Sequence, residues 1–278
     1  MLQKTEDKKK LFTLPGSIIK NRALIWQLAK NDFKKRYAGS YLGAVWAMIQ
    51  PVVTVLMYYI VFDKIFQSKA EAVAGDTPIP YVLFLTAGLV PWFFFSEGLN
   101  HGTQSLTEYS YLVKKVVFDI DILPVIKVIA ASFIHMFFLV ILIIISCIYG
   151  YYPNLYTLQV LYYSACMFIL LLALCYTTSA VVVFFRDLSQ IIQIALQIGM
   201  WATPILWNIG KLGPTAQFIL KLNPVAYIVL GYRSALCERK ILMNDPWYTV
   251  YFWGFVIVFM LIGRAIFKKL RVHFADVL

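Results

Sequence analysis

The side chains best placed to do chemistry sit where this chain carries least charge. Gln190, Gln193 and Gln197, followed by Trp201, recur every three or four residues and so share one face of a helix. Amides beside an aromatic ring form a wall suited to a sugar, with hydrogen-bond partners for hydroxyls and a flat surface for the C–H faces of the ring. The same stripe could be glue between helices, because Gln bonds across helices in lipid. Gln50, Thr54 and Tyr58 make a similar but weaker face upstream. His135 stands alone in an apolar run, which fits a packing residue better than a ligand.

Catalytic patterns are absent. No GxxxxGK followed by Ser or Thr occurs, since Gly210-Lys211 lacks both the upstream glycine and the following hydroxyl residue. HExxH, a paired Cys/His cluster and a GxSxG elbow are missing too. Asp119-Ile120-Asp121 has the spacing with which many glycosyltransferases hold a metal-bound nucleotide sugar, but no soluble catalytic domain surrounds it. The expectation is therefore no catalytic residue, no metal site and no cofactor on this chain. Were the chain to work at the expense of ATP, the nucleotide and its Mg would belong to another chain.

The elements that must position these residues follow from composition. The 278-residue chain is 61% hydrophobic and only 14% charged, with a mean hydropathy of +0.73. Soluble domains carry about 25% charged residues, so an all-α polytopic membrane protein is expected. The net charge is +11, with basic residues crowded before the first long apolar run. Beside so much hydrocarbon, that basic end reads as cytoplasmic and facing anionic membrane lipid, with no nucleic acid involved. The polar N-terminus carries no apolar signal-peptide core, so the first span is expected to insert itself. Cys147, Cys166, Cys175 and Cys237 form no disulfide framework.

Residues 1–20 read as a cytoplasmic tail and 21–278 as one domain. Ile25, Trp26, Ala29, Phe33 and Tyr37 recur at helical spacing, predicting an amphipathic interfacial helix over 21–37 with a basic face. Arg36 and Asp63 bracket a charge-free run of about 26 residues, enough to span ~30 Å of hydrocarbon. The run from Val128 to Phe185 carries no Asp, Glu, Lys or Arg and is long enough for two spans folded at Tyr151 to Asn154. Six transmembrane helices are predicted, at about 40–62, 80–98, 125–150, 155–185, 188–210 and 247–267. Between the last two, Ala216 to Leu220 and Val225 to Tyr232 are too short to span and read as re-entrant extracellular helices. Six spans place both termini on one side, the cytoplasm, as a multi-pass protein. Lys211, Lys221, Arg233, Arg239 and Lys240 then fall outside, against the usual bias.

The stretch from Glu108 to Lys127 interrupts the apolar segments with charge yet carries Tyr109, Tyr111, Leu112, Val113, Val116, Val117 and Phe118. Its charged residues predict a place in water or among headgroups. Apolar residues ringed by charge point to a docking surface for another protein, over a short helix at about 108–119. A solvated loop with an interfacial helix explains the same pattern.

In wording as well as order, these pieces resemble the permease subunits of type-2 ATP-binding-cassette exporters, in the polysaccharide, O-antigen and teichoic acid group. The resemblance is carried by DFKKRYAGSYLGAVWAMIQPVV at 32–53, PYVLFLTAGLVPWFFFSEGL at 80–99, YLVKKVVFDIDILPV at 111–125, FRDLSQIIQIALQIGMWATPILW at 185–207 and LNPVAYIVLGYRSAL at 222–236. It implies a homodimer in the bacterial cytoplasmic membrane, resting on a dimer of ABC ATPase subunits that hold ATP and Mg. Leu112, Val113, Lys114, Lys115, Val116, Val117 and Phe118 would then be the coupling element. Asp119 and Ile120 depart from the proline and the arginine or serine the family often has after the coupling aromatic. The channel would be lined by the first and fifth spans, through Gln50, Thr54, Tyr58, Gln190, Gln193, Gln197 and Trp201. Asn223, Pro224, Tyr232 and Arg233 would form the extracellular re-entrant motif. The cargo implied is a polyprenyl-pyrophosphate-linked glycan, its anionic head captured by Lys34, Lys35 and Arg36. An exporter of a drug or small lipid shares this topology, and a membrane-embedded glycosyltransferase or a structural scaffold for a synthesis complex are readings from other classes.

Overall fold

The structure, a computed structural model, describes residues 14–36, 39, 41–65, 79–114, 119–241 and 245–278. In chain order its α-helices are α1 (Leu14–Lys20), α2 (Arg22–Arg36), α3 (Trp46–Tyr58), α4 (Tyr81–Thr103), α5 (Ser105–Glu108), α6 (Ser110–Val113), α7 (Leu123–Ile148), α8 (Gln159–Val182), α9 (Leu188–Ala202), α10 (Pro214–Lys221), α11 (Pro224–Arg233), α12 (Pro246–Leu270) and α13 (Phe274–Val277). No strand occurs among the described residues. A chain in hydrocarbon must satisfy its backbone internally, and a helix does so within one segment. Among the described residues four segments are long and apolar enough to cross a membrane: Tyr81–Thr103, Ile120–Ile148, Leu155–Val182 and Pro246–Val277. Trp46–Phe62 and Leu188–Ala202 are shorter apolar helices.

The central helix is α4, buried almost throughout from Tyr81 to Phe95, with α7, α8, α9 and α11 packed around it. Two glycines on one face let α8 approach closely. A Cβ on Gly102 would lie 2.2 Å from Cys175 Sγ, and one on Gly98 would lie 2.6 Å from Leu171 Cδ1. The reversal between α7 and α8 falls at Tyr151 to Asn154 as predicted. There the Asn154 side chain accepts from the Tyr156 and Thr157 amides and caps the next turn.

Several boundaries differ from expectation for local reasons. The tail expected through residue 20 already contains α1, with Pro15 in its first turn where the lost N–H is harmless. The segment expected at 188–210 stays α-helical only to Ala202, because Pro204 pushes Thr203 into an extended conformation (φ −80°, ψ 139°). At the other end of the chain, α12 extends to Leu270, beyond the expected 267. The helix sought at 108–119 is two single turns, α5 and α6, ending at Val113. Lys115, Val116, Val117 and Phe118 lie outside the described residues, as does Tyr37.

Candidate functional site

Only a narrow stripe of α9, Ile192 and Leu196, is buried against the bundle. Gln190, Gln193 and Gln197 are exposed, and Trp201 is 63% exposed. Ile191, Ile194 and Ile198 are exposed beside them. The neighbouring α3 is barer still: Ala47 is its buried residue among those described, and Gln50, Val53 and Met57 are exposed. Thr54 and Tyr58 are half-buried. The Thr54 hydroxyl donates to the Gln50 carbonyl at 2.9 Å, so it is already engaged within its own helix. Tyr58 Oη lies 4.0 Å from Met200 Sδ and ties α3 to α9. Thus two sparsely packed apolar helices, touching at Tyr58 and Met200, present amides and an indole outward.

What ends α9 is built with more care than the sequence revealed. Residues 203–206 leave helical geometry while buried, so their backbone oxygens need partners. Arg233, 3% exposed on α11, supplies them: its guanidinium donates to the carbonyls of Pro204 (2.5 Å), Ile205 and Phe84 (3.2 Å). It also stacks 3.5 Å over the Phe84 ring. Tyr81 Oη donates to the Leu206 carbonyl at 2.9 Å, and Asn223 Nδ2 to Thr203 Oγ1 at 2.8 Å. Asn223 also caps α11, accepting from the Val225 amide, and Pro224 takes the first position of that helix. Tyr232 Oη lies 2.5 Å from Ser164 Oγ and 3.1 Å from His135 Nε2, so the lone His135 has polar company, with Phe94 stacked on its ring. Of the motif residues, Asn223 and Arg233 meet the corner after α9, whereas Tyr232 pairs with Ser164 and His135. Arg233, counted above among the cations on the outer side, is a buried clamp.

The third locus joins α2 to the bundle. Ile25, Ala29 and Asp32 form its buried stripe, and Trp26 and Phe33 meet Phe133 edge-on. Asp32 is an acid in the position of a core residue, 5% exposed. Its Oδ1 accepts from Lys127 Nζ (2.5 Å) and Tyr109 Oη (2.8 Å), and its Oδ2 from Arg36 Nε (3.2 Å) and Nη2 (3.0 Å). Arg36 Nη1 reaches on to Glu97 on α4 at 2.8 Å, and Lys127 on to Glu108 at the end of α5. Burial pushes the Asp32 carboxyl up, but the hydrogen bond and charge of Lys127, then Arg36 and the Tyr109 hydroxyl, outweigh it and hold it below its ordinary value of 3.8. The Tyr109 phenol is driven well up by burial and by the adjacent Asp32 charge.

Two expectations are corrected here. Lys127, placed above in water or among headgroups, is 1% exposed and lies inside the protein, between two carboxylates. Arg36, grouped with Lys34 and Lys35, is spent on Asp32 and Glu97, whereas Lys34 and Lys35 are exposed. Sequence inspection missed Asp32, Glu97 and Glu108. The available signal was an acid in register with Ile25 and Ala29 and a lysine near the start of a long apolar run, opposite charges each out of place.

The Asp119-Ile120-Asp121 spacing serves packing. Arg271 Nη1 contacts both Asp121 carboxylate oxygens at 3.1 Å, and Tyr176 Oη donates to the Asp121 carbonyl at 2.8 Å. Among the described residues no group of three His, Cys, Asp or Glu side chains is placed to hold a metal. Of the residues expected to form a coupling element, Val113 is buried, Leu112 half-buried and Lys114 exposed.

Comparison with known proteins identifies the family. The O-antigen export system permease protein RfbA of Myxococcus xanthus is 26% identical over 272 residues, 96% of this chain and 99% of that protein. The protein of that name from Klebsiella pneumoniae is 26% identical over 259 residues, 92% of this chain and 95% of its own. Residues 23–237 match the ABC-2 type transporter family, and with helices long and apolar enough to cross a membrane, this chain belongs to that family as a multi-pass membrane permease.

Proposed function

We propose that the chain is the permease subunit of an exporter that carries lipid-linked polysaccharide of the O-antigen, capsule or teichoic acid type across the bacterial cytoplasmic membrane. A separate ABC ATPase dimer would hold ATP and Mg and drive it. The carrying observation is that relatives named as O-antigen export permeases match this chain over nearly its full length. The bare face of α3 and α9 supports the reading from physics. Gln190, Gln193, Gln197 and Trp201 facing pure lipid would leave amides unsatisfied. A second copy of the chain resolves this by closing the face into a seam, where the amides meet glycan hydroxyls and water while the isoleucines pack or face lipid.

In this reading α3 and α9 are the first and fifth of six spans, and α10 and α11 dip into the membrane from outside. The end of the bundle that carries α2 faces the cytoplasm. Exposed Lys34 and Lys35 meet the pyrophosphate head with charge-assisted hydrogen bonds, and Arg36 holds the helix that presents them. Residues 108–119 form the foothold of the ATPase. Its cycle moves the foothold, and the seam opens and closes as packed helices switch between arrangements.

Deleting the gene in its host tests this directly. Surface glycan should disappear while its lipid-linked precursor accumulates, and the intact gene should restore export. Unchanged surface glycan would defeat the proposal.

A further inference from the structure

Lys127 is held by carboxylates from two separate elements, Asp32 on α2 and Glu108 at the end of α5, while itself projecting from α7. Its ammonium is thus the meeting point of the interfacial helix, the loop after α4 and the start of a membrane-crossing helix. Asp32 is the second hub, with both oxygens occupied by donors from Lys127, Tyr109 and Arg36. The two acids that hold Lys127 differ in character. The Asp32 side chain is 7% exposed, whereas that of Glu108 is 41% exposed. Three carboxylates, Asp32, Glu97 and Glu108, face two cations, Arg36 and Lys127, so one acid is held less firmly than the rest. Glu97 and Glu108 each have one ionic contact, to Arg36 and Lys127, and of the two Glu108 meets more water.

Such a cluster is poor value as a mere fastener, because apolar residues of the same volume often hold a protein as well or better than a buried ion pair. What ions supply is a defined pairing that can be broken and remade. We infer that Lys127 is a positioning residue. Through Glu108 it senses displacement of α5 and α6, and through Asp32 it passes that displacement to α2 and to the exposed Lys34 and Lys35. The inference rests on the reading of residues 108–119 as the ATPase foothold, and it adds that the interfacial helix moves with the foothold through this linkage.

The test uses the full permease with its ATPase in lipid nanodiscs, with ATP and vanadate as the probe, so no glycan is needed. Spin labels at Gln27→Cys on α2 and Tyr111→Cys on α6, each measured against Leu161→Cys on α8, report distances by electron paramagnetic resonance. All three sites are exposed; Cys147 is replaced by serine, since Cys166, Cys175 and Cys237 are buried. Trapping should change both distances in the otherwise unaltered chain. In Glu108→Gln, and in Lys127→Met if it assembles, the α6 change should persist and the α2 change be lost, with Lys127→Arg restoring it. An α2 change as large in Glu108→Gln as in the parent overturns the linkage while leaving the foothold standing. Absence of any α6 change in the parent, with ATPase bound, overturns the foothold and the linkage together.

Discussion

Replacing Arg233 by methionine keeps most of the side-chain volume and removes all three guanidinium hydrogen bonds at the corner after α9. The carbonyls of Phe84, Pro204 and Ile205 then lose the guanidinium donor in a buried place. A buried acceptor left unpaired costs about 1–3 kcal/mol. Losing the stack on Phe84 adds about 1 kcal/mol, while relief from burying a charge returns part of the total. A net loss of roughly 3 kcal/mol is expected, a large fraction of the ~5–15 kcal/mol by which folded proteins exceed their unfolded states. At about 2–4 °C per kcal/mol for a chain of this size, the apparent Tm should fall by about 6–12 °C. Thermal unfolding of the detergent-solubilised protein, followed by size-exclusion chromatography, reads this out. Arg233→Lys should fall in between, because an ammonium keeps charge and donors but cannot fork to three carbonyls in the same plane. A shift under about 2 °C for Arg233→Met would refute the clamp and require another partner for these carbonyls.

Other outcomes follow from the same contacts. Asp32→Asn should destabilise the protein at neutral pH. The folded carboxyl titrates below its ordinary 3.8, so its stabilisation is present above that value and disappears as pH falls through the folded pKa. Melts at stepped pH should therefore show variant and parent converging in strong acid, and a gap independent of pH would contradict the shift. Gly102→Ala places a methyl carbon 2.2 Å from Cys175 Sγ and should cost about 1–3 kcal/mol by forcing α4 from α8; Cys175→Ala should rescue it, as a double-mutant melt would show. Gln193→Leu with Gln197→Leu should lower export at equal protein level with the dimer intact if the amides line a path. Loss of the dimer instead would assign them to helix packing. Lys34→Glu with Lys35→Glu should reduce export of the glycan while ATPase association survives, and unchanged export would remove the capture step.

The long helices were legible because an unbroken apolar run has few alternatives to a helix in a membrane, which is how α4, α7, α8 and α12 were found. The reversal at Tyr151 to Asn154 was equally plain, since local turn chemistry determines it. Local reasoning failed where partners are distant in sequence. Asp32 and Lys127 are 95 residues apart, and each looks like a surface charge until the other is known to face it. Arg233 was read as part of a motif, but its role depends on a helix end made 29 residues earlier by Pro204. The glutamine stripe was legible as a face, and the structure shows that face bare. What covers it depends on a neighbour the sequence does not describe.

The central claim is that this chain moves a hydrophilic polymer only when an ATPase works on it. Reconstituted proteoliposomes containing the permease and ATPase, loaded on the ATPase side with polyprenyl-pyrophosphate-linked glycan, allow one decisive measurement: glycan reaching the opposite leaflet per ATP hydrolysed. Transfer that needs ATP and both proteins together is the predicted result. Transfer by the permease alone, or ATP turnover by the assembled complex with no glycan moved, would contradict the account.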